Sequence, residues 1–288
     1  MTENSHMENG EQAGRWYFRF NGYHRFLHVL IMVSFLGLVI TGMPLKFYSD
    51  GWAQALTSLL GGIEMAGYLH RVCGAITFLY FLLHIIFAIH YIVKVREEPL
   101  LQWATGPNSM IPWIKDVEDV TNHILWFLGL RERPKFDRFT YWEKFDYLAV
   151  FWGVGIIGFS GLTLWFPEFF ALFLPGWAFN VSIILHSDEA LLAAGFIFTI
   201  HFFNTHLRPE KFPLDHVIFT GRMSEEEFRH ERPLEYERMR KQGKLEYLET
   251  TPPTRFFLIW SKIVGFVSYG IGLIMIILIL YSTIRQLH

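Results

Sequence analysis

Five long apolar runs divide the chain, and charged or mixed segments separate them. A helix needs about 20 apolar residues to cross the hydrocarbon of a bilayer, and each run is long enough. The first run has no small-residue cleavage site after it, which favours a retained helix over a signal peptide. The sequence therefore predicts five membrane-spanning helices. They are predicted at Tyr23–Phe47, Tyr68–Lys94, Glu143–Phe166, Val181–Leu207 and Arg255–Ile284.

The composition supports this interpretation and excludes several other classes of protein. Hydrophobic residues make up 52% of the 288 residues and charged residues 18%, whereas about a quarter of the residues of a soluble domain are charged. A net charge of −2 gives no basis for binding nucleic acid. The single cysteine, Cys73, excludes a disulfide framework and an iron–sulfur cluster made by this chain alone. The predicted fold class is an all-α membrane protein.

The predicted organisation has four parts, of which the central one carries the chemistry. Residues 1–22 form an N-terminal tail, 23–207 a four-helix transmembrane bundle, 208–254 a charged segment, and 255–288 the fifth transmembrane helix. Within the charged segment, Ser224 precedes three glutamates, which is a helix-capping pattern. We expect Ser224–Lys244 to be a helical, solvated surface element.

Lysine and arginine positions predict the orientation of the spans. Cytoplasmic connections of membrane proteins retain these residues, and all but three of the 25 lie in, or at the span ends that border, the N-terminal segment, the connection between spans two and three, and the connection between spans four and five. The three exceptions, which are predicted to lie on the opposite side, are Lys46, Arg71 and Arg285. The N-terminus and the charged segment are therefore predicted to be cytoplasmic and the C-terminus periplasmic, in a bacterial inner membrane.

Histidines inside the apolar runs are the main chemical signal, because ionisable groups are costly there. His186 and His201 lie 15 residues apart in the fourth span, which is about 22 Å along a helix, on nearly one face. Because the helices alternate in direction, His70 is predicted level with His186 near the periplasmic side. His28 is predicted level with His201 near the cytoplasmic side. The topology thus predicts two histidine pairs at two depths.

Two such pairs in a four-helix bundle are a known arrangement for two haems, with neutral imidazole as the axial ligand. No Cys-x-x-Cys-His motif occurs, so the predicted cofactors are two b-type haems. Arg25 and Arg71 are predicted to pair with haem propionates. Six glycines are predicted to let a flat macrocycle approach the helices: Gly37, Gly42, Gly74, Gly158, Gly161 and Gly195.

Two alternatives stay open. His84 lies 14 residues after His70 on the same helix face and competes with His28 for the cytoplasmic-side haem, although its greater depth favours His28. The chain can also be a cofactor-free membrane anchor or transporter subunit, because membrane histidines often only donate hydrogen bonds between helices. A di-iron oxygenase, suggested by His24-x-x-x-His28, needs further histidine boxes, including a His-His pair, that the sequence lacks.

These motifs together resemble the di-haem cytochrome b subunits of respiratory formate dehydrogenases and nickel–iron hydrogenases. The resembling segments are Arg25–His28, Gly67–His70, Asp137–Phe145, Leu185–His186 and Thr199–Phe202. The resemblance implies that the four histidines bind two haems and that menaquinone reacts beside the cytoplasmic-side haem, near the segment entering the third span. The segment Asn204–Asp215 and the fifth helix look more like b-type modules that accompany multihaem c cytochromes.

The predicted function is electron transfer between menaquinone or menaquinol and a periplasmic redox partner. That partner is expected to be a multihaem c cytochrome or a dehydrogenase or iron–sulfur subunit, with lipid as the surrounding medium. Tyr141, Glu143 and Lys144 are the predicted quinone contacts. Glu143 is the first candidate to exchange protons with the quinone, and the competing interpretation of Glu143 and Lys144 is an ordinary interfacial anchor.

Overall fold

The computed structural model describes residues 14–286, so the first 13 residues of the predicted tail and the last two of the predicted C-terminal segment lie outside it. The all-α membrane fold is confirmed. The elements, in chain order, are β1 (Trp16–Phe18), α1 (Gly22–Lys46), α2 (Gly51–Leu59), α3 (Ile63–His90), α4 (Leu100–Ala104), α5 (Ile114–Phe127), α6 (Tyr141–Trp165), α7 (Pro167–Phe170), α8 (Gly176–Phe196), α9 (Val217–Thr220), β2 (Arg222–Ser224), α10 (Glu225–Glu231), α11 (Pro233–Lys241), a 3₁₀ turn (Glu246–Leu248), β3 (Glu249–Thr250) and α12 (Arg255–Gln286).

Five helices of the described chain are long and apolar enough to cross a membrane, which confirms the five predicted spans. They are α1, α3, α6, α8 and α12. Two of them continue in π-helical turns, α3 through Tyr91–Val95 and α8 through Ile197–His201 and Phe203–Leu207. The protein is therefore a multi-pass α-helical membrane protein.

The second and fourth spans begin earlier than the hydropathy pattern predicts. Helix α3 begins at Ile63, directly after Gly61 and Gly62, whose φ angles of 97° and 94° lie in the left-handed region that favours glycine. Helix α8 begins at Gly176, directly after Pro175, and proline suits the start of a helix because it has no N–H to leave unpaired. Local backbone chemistry, rather than hydropathy, sets both starts.

The chain contains two compact units, and the larger holds most of the membrane helices. It comprises Phe26–Val95, Leu148–Asp215 and the described residues from Ile263 onward. Its core consists of side chains from α1, α8, α12 and the residues that directly follow α1 and α8: Val39, Met43, Phe47, Ala194, Phe198, Met275 and Ile279, with Ala53 of α2. A Cβ built on Gly272 of α12 would lie 2.7 Å from the Phe198 ring, so glycine is what allows this close approach. The fifth helix is therefore an integral part of this core.

A buried carboxylate fastens the end of α12 to the segment that follows α1. Asp50 is 3% exposed and accepts hydrogen bonds from Ser282 Oγ and, at 2.8 Å, from Arg285 Nη1. The indole N–H of Trp52 donates to Ser282 Oγ at 2.8 Å. Because a buried carboxylate without partners is strongly destabilising, these contacts hold the last described turn of α12 against the segment that follows α1.

The smaller unit comprises the described residues up to Arg25, together with Arg96–Tyr147 and His216–Lys262. Its three short antiparallel strands have the order β2-β1-β3, with Tyr17 opposite Met223 on one side and Glu249 on the other. Tyr17, Phe228 and Tyr236 pack edge to face around this sheet. Sequence analysis did not predict the sheet, because strands of two or three residues are too short to show alternation.

The charged segment is less solvated than predicted. The predicted cap is present, since the Ser224 hydroxyl accepts a hydrogen bond from the Glu227 N–H at 3.2 Å. However, Phe228, Glu235 and Tyr236 are all buried. The expectation of a plain surface element was therefore wrong, because these side chains build the core of the smaller unit.

Candidate metal centres in the membrane helices

His70 of α3 and His186 of α8 meet inside the larger unit, as the sequence predicts for one of the two pairs. Their ring centroids lie 6.1 Å apart, and the two ring planes are inclined by 80°. Both residues lie in regular α-helix. The two imidazoles are thus close but not stacked on each other.

Hydrogen bonds assign the tautomer of both rings. The Thr41 hydroxyl donates to the Gly37 carbonyl at 2.6 Å, so its oxygen is left to accept from His70 Nδ1 at 2.9 Å. His186 Nδ1 lies 2.9 Å from the Ile157 carbonyl oxygen, which can only accept. Each neutral ring therefore carries its proton on Nδ1, which leaves the Nε2 lone pair available to a metal.

A glycine makes room for each of these two rings. A Cβ built on Gly42 of α1 would lie 2.9 Å from His70 Cε1, and a Cβ built on Gly161 of α6 would lie 2.9 Å from His186 Cε1. A glycine that makes room for an imidazole thus occurs on two different helices, α1 and α6. Sequence analysis assigned these glycines to a macrocycle, whereas the structure places the imidazoles themselves against them.

The other four glycines predicted to border a macrocycle have two kinds of surroundings. Gly37 faces Cys73, and Gly158 faces the Phe78 ring. A Cβ at Gly74 or Gly195 would meet no described atom within 4 Å. Gly74 lies one helical turn after His70, so open space borders the same face of α3 that carries this histidine.

His28 of α1 lies close enough to His201 to interact with it electrostatically, and it interacts in the same way with His206. His201 ends one π-helical turn and His206 lies in the next. Such turns are rare and often occur at functional sites. The spacing rule that related His201 to His186 assumed a regular α-helix and does not hold beyond Ile197. Hydropathy carries no signal for this change of helix type.

His206 is buried and held in a defined tautomer. The Asp215 N–H donates to His206 Nδ1 at 3.2 Å, and the Tyr269 ring lies 5.9 Å from the imidazole. Because Nδ1 accepts, the proton of the neutral ring is on Nε2. His206 thus presents a donor where His70 and His186 present a lone pair.

His84, the predicted competitor of His28, contacts aromatic rings. Its ring centroid lies 6.2 Å from that of Tyr80, nearly parallel, and 5.7 Å from that of Phe151. The choice between His28 and His84 remains a prediction that the sequence left open.

The two arginines predicted to pair with propionates differ in their surroundings. Arg25 Nη1 donates to the carbonyls of Phe219 and Thr220 at 3.1 and 2.9 Å, so it caps the end of α9. Arg71 is exposed and interacts electrostatically with His70. Arg71 therefore lies beside His70, the predicted haem ligand, whereas Nη1 of Arg25 donates to backbone carbonyls.

The predicted quinone contacts Tyr141, Glu143 and Lys144 lie in the first turn of α6, in the smaller unit. Glu143 Oε2 accepts from the Thr140 N–H and hydroxyl at 2.8 and 2.9 Å, and Oε1 accepts from Arg232 at 2.7 Å. Lys144 pairs with Asp116 at 3.0 Å, and both side chains are buried. Glu143 and Lys144 are thus engaged in helix capping and ion pairing.

Tyr141 pairs with a histidine of α5, His123. Its hydroxyl lies 3.0 Å from His123 Nδ1, and the His123 ring is stacked on Phe127 at 4.8 Å. Further aromatic rings surround this imidazole: Trp126, Phe136 and Trp142. His123 lies on α5 and Tyr141 begins α6, and a non-helical connection joins the two helices, so helix periodicity in the sequence gave no signal for this pair.

A buried ion network lies in the same unit. Arg19 and Glu235 pair at 2.5 Å with side chains only 4% and 2% exposed, and Arg138 donates to the same carboxylate at 2.8 Å. Burial lowers the pKa of Arg19 to about 10, and Glu235 opposes this shift. Removing one partner of such a network leaves an uncompensated buried charge, so its role is structural.

Within residues 14–286, no group of three or more His, Cys, Asp or Glu side chains is arranged to hold a metal ion. Neither a protein-family model nor a curated protein sequence matches this chain.

Proposed function

We propose that this protein is a di-haem b membrane cytochrome that transfers electrons between menaquinone or menaquinol and a redox partner across the membrane. The observation that carries the proposal is the His70 and His186 pair. Its supporting features are the ring separation, the Nδ1–H tautomers and the two glycines that seat the rings.

The ring separation fits a shared metal ion. Two imidazoles that bind one metal through Nε2, with bonds of about 2 Å, have ring centroids about 6 Å apart. The observed separation is 6.1 Å. Metal-binding histidines usually donate their other N–H to a carbonyl or another acceptor. Thr41 and Ile157 supply these acceptors.

The number of ligands favours haem over a bare metal ion. A metal held by protein side chains alone usually needs three or four of them, and the described residues provide no such group. A pair of histidines suffices where a porphyrin supplies the other four ligands. Haem b bound by His70 and His186 would supply a one-electron carrier at this depth of the membrane.

The second site is proposed at His28 and His201. The electrostatic interaction between His28 and His201 supports this pairing. His206 is close as well, but its Nε2 carries the proton, so as a neutral ring it lacks the lone pair that a ligand needs. We assign His206 to hydrogen bonding beside this site.

Quinone chemistry needs a group that exchanges protons, since two protons accompany the two electrons. Glu143 is engaged on both of its oxygens by Thr140 and Arg232. The hydroxyl of Tyr141 is paired with His123, and imidazole is a side-chain group that can both donate and accept protons. Among the predicted quinone contacts, this pair is the better proposal for the proton-exchanging group.

The orientation and partner rest on the charge pattern and the family resemblance. With the N-terminus in the bacterial cytoplasm, the His70 and His186 site faces the periplasmic side, and the quinone reacts on the cytoplasmic side. The electron partner on the periplasmic side is then a multihaem c cytochrome or a dehydrogenase or iron–sulfur subunit.

Cofactor quantitation tests this proposal against a cofactor-free anchor or transporter subunit. We expect a pyridine-haemochrome assay of the purified chain to give about two haem b per chain, with low-spin spectra. A chain purified from haem-sufficient cells without Soret absorbance would instead establish the cofactor-free alternative. A His28→Ala/His70→Ala double variant serves as the matched control and should lack both haems.

A further inference from the structure

Helix α5 (Ile114–Phe127) buries two carboxylates and exposes a strip of apolar side chains, unlike a typical helix on a water-facing surface. Asp116 and Asp119 are each 7% exposed, and the His123 ring packs among aromatic rings. The opposite face is apolar and outward: Ile114, Val117 and Ile124, together with Leu128 just after the helix, are 54–74% exposed. Only Thr121 interrupts this strip. A contiguous exposed apolar strip of this kind is typical of a surface that contacts a protein or a membrane.

The inward side of α5 is tied to a membrane helix. Asp116 forms a buried ion pair at 3.0 Å with Lys144, which lies in the first turn of the spanning helix α6. The first turn of a spanning helix lies near the boundary between head groups and hydrocarbon. The ion pair therefore holds α5 at the depth of that boundary.

The apolar strip continues onto the spanning helix. Phe145, the residue after Lys144, is 57% exposed and belongs to α6. Trp113, just before α5, is 46% exposed, and tryptophan favours the membrane interface. The exposed strip of α5 and the exposed surface at the beginning of α6 are thus both apolar.

A basic segment follows the helix and complements anionic head groups. Arg131, Arg133 and Lys135 lie within five residues, with only Glu132 opposing them. Arg131 donates to Asn122, on the flank of α5, so this charge is held beside the strip. Interfacial helices combine such a basic flank with an apolar face.

We propose that α5 lies flat in the membrane interface, with Ile114, Val117, Thr121, Ile124 and Leu128 against phospholipid acyl chains and the basic segment against anionic head groups. The occupant of this face is lipid and not a second protein. The proposal does not depend on haem binding. It makes the connection between the second and third spans a peripheral membrane anchor.

Quenching of a fluorescent label tests this position in the full chain. Cys73 is replaced by serine so that a label reacts only at Thr121→Cys, in the centre of the strip, or at Glu118→Cys, on its flank. The chain is reconstituted in vesicles of phosphatidylethanolamine and phosphatidylglycerol. We expect spin-labelled acyl chains to quench the Thr121 label several times more than the Glu118 label. Aqueous iodide should show the reverse order.

The other outcomes overturn the proposal. Equal quenching of both labels by iodide places the strip in water, and protection of the Thr121 label from both quenchers places it against protein. Val117→Cys provides a second position on the strip in case the Thr121 variant does not fold. Replacing phosphatidylglycerol by phosphatidylcholine should weaken acyl-chain quenching if the basic segment binds anionic head groups.

Discussion

The two histidine pairs differ in how tightly the protein defines them. His70 and His186 lie in regular α-helix, and each ring has an acceptor for Nδ1–H and a glycine behind it. His28 interacts electrostatically with His201, which ends a π-helical turn, and also with His206 in the next turn. The first pair consists of two imidazoles with defined hydrogen-bond partners. In the second pair, His28 also interacts with a third imidazole, that of His206.

This difference fits two different tasks for the proposed haems. A site that only passes electrons benefits from ligands held in one orientation, because little then has to reorganise. A site beside proton-coupled quinone chemistry benefits from neighbouring groups that can donate or accept protons. His206, with its proton on Nε2, is such a neighbour for the second pair.

The largest expected effect is the loss of one haem when a member of the well-defined pair is removed. We expect His186→Ala to abolish one of the two b-type signals and to leave the other unchanged, because the other pair shares no ligand with it. Haemochrome quantitation and reduced-minus-oxidised spectra measure this. His90→Ala, an exposed histidine at the end of α3, is the control. Loss of both signals from His186→Ala would contradict two independent sites.

Removing His28 should have an equally large effect on the other signal. We expect His28→Ala to abolish the second low-spin haem and His84→Ala to retain it, since His28 is the residue that approaches His201. Low-temperature electron paramagnetic resonance of each oxidised variant separates the two signals. If His84→Ala alone removes the second signal, His84 is the ligand.

A smaller, partial effect is expected from filling the space behind a ring. We expect Gly161→Ala to lower the content of the first haem without abolishing it, because the added Cβ would lie 2.9 Å from His186 Cε1 and must displace the ring. Gly270→Ala on α12, where a Cβ meets no described atom within 4 Å, is the matched control. An equal loss in the two variants would attribute the effect to helix stability instead.

The smallest effect is expected from removing the acceptor of His70. Thr41→Val keeps the shape but loses the oxygen that accepts from Nδ1, and such changes typically weaken metal binding roughly 10–100-fold. Competition with apo-myoglobin measures how tightly each haem is held. Thr283→Val, whose hydroxyl donates to a carbonyl within α12, is the control. A change in the second haem instead of the first would break the assignment of Thr41 to the first pair.

Much of the fold could be predicted because hydropathy reports directly on membrane spans. Five spans, and the histidines they carry, followed from apolar run length and charge position alone. The short strands could not be predicted, since Tyr17 pairs with residues more than 200 positions away. The pairing of His123 with Tyr141 could not be predicted for a similar reason. It depends on how α5, a helix in the connection between two spans, packs.

The sequence by itself determined the class of protein, the number of spans and which histidines lie in apolar surroundings, because these properties depend on local composition. Only the tertiary structure decided which nitrogen of His70 and His186 is free, since that depends on Thr41 and Ile157 of other helices. The tertiary structure also paired Glu143 with Arg232 and brought His206 into electrostatic interaction with His28. Chemistry at a site depends on what packs against each side chain, and packing joins residues that are distant along the chain.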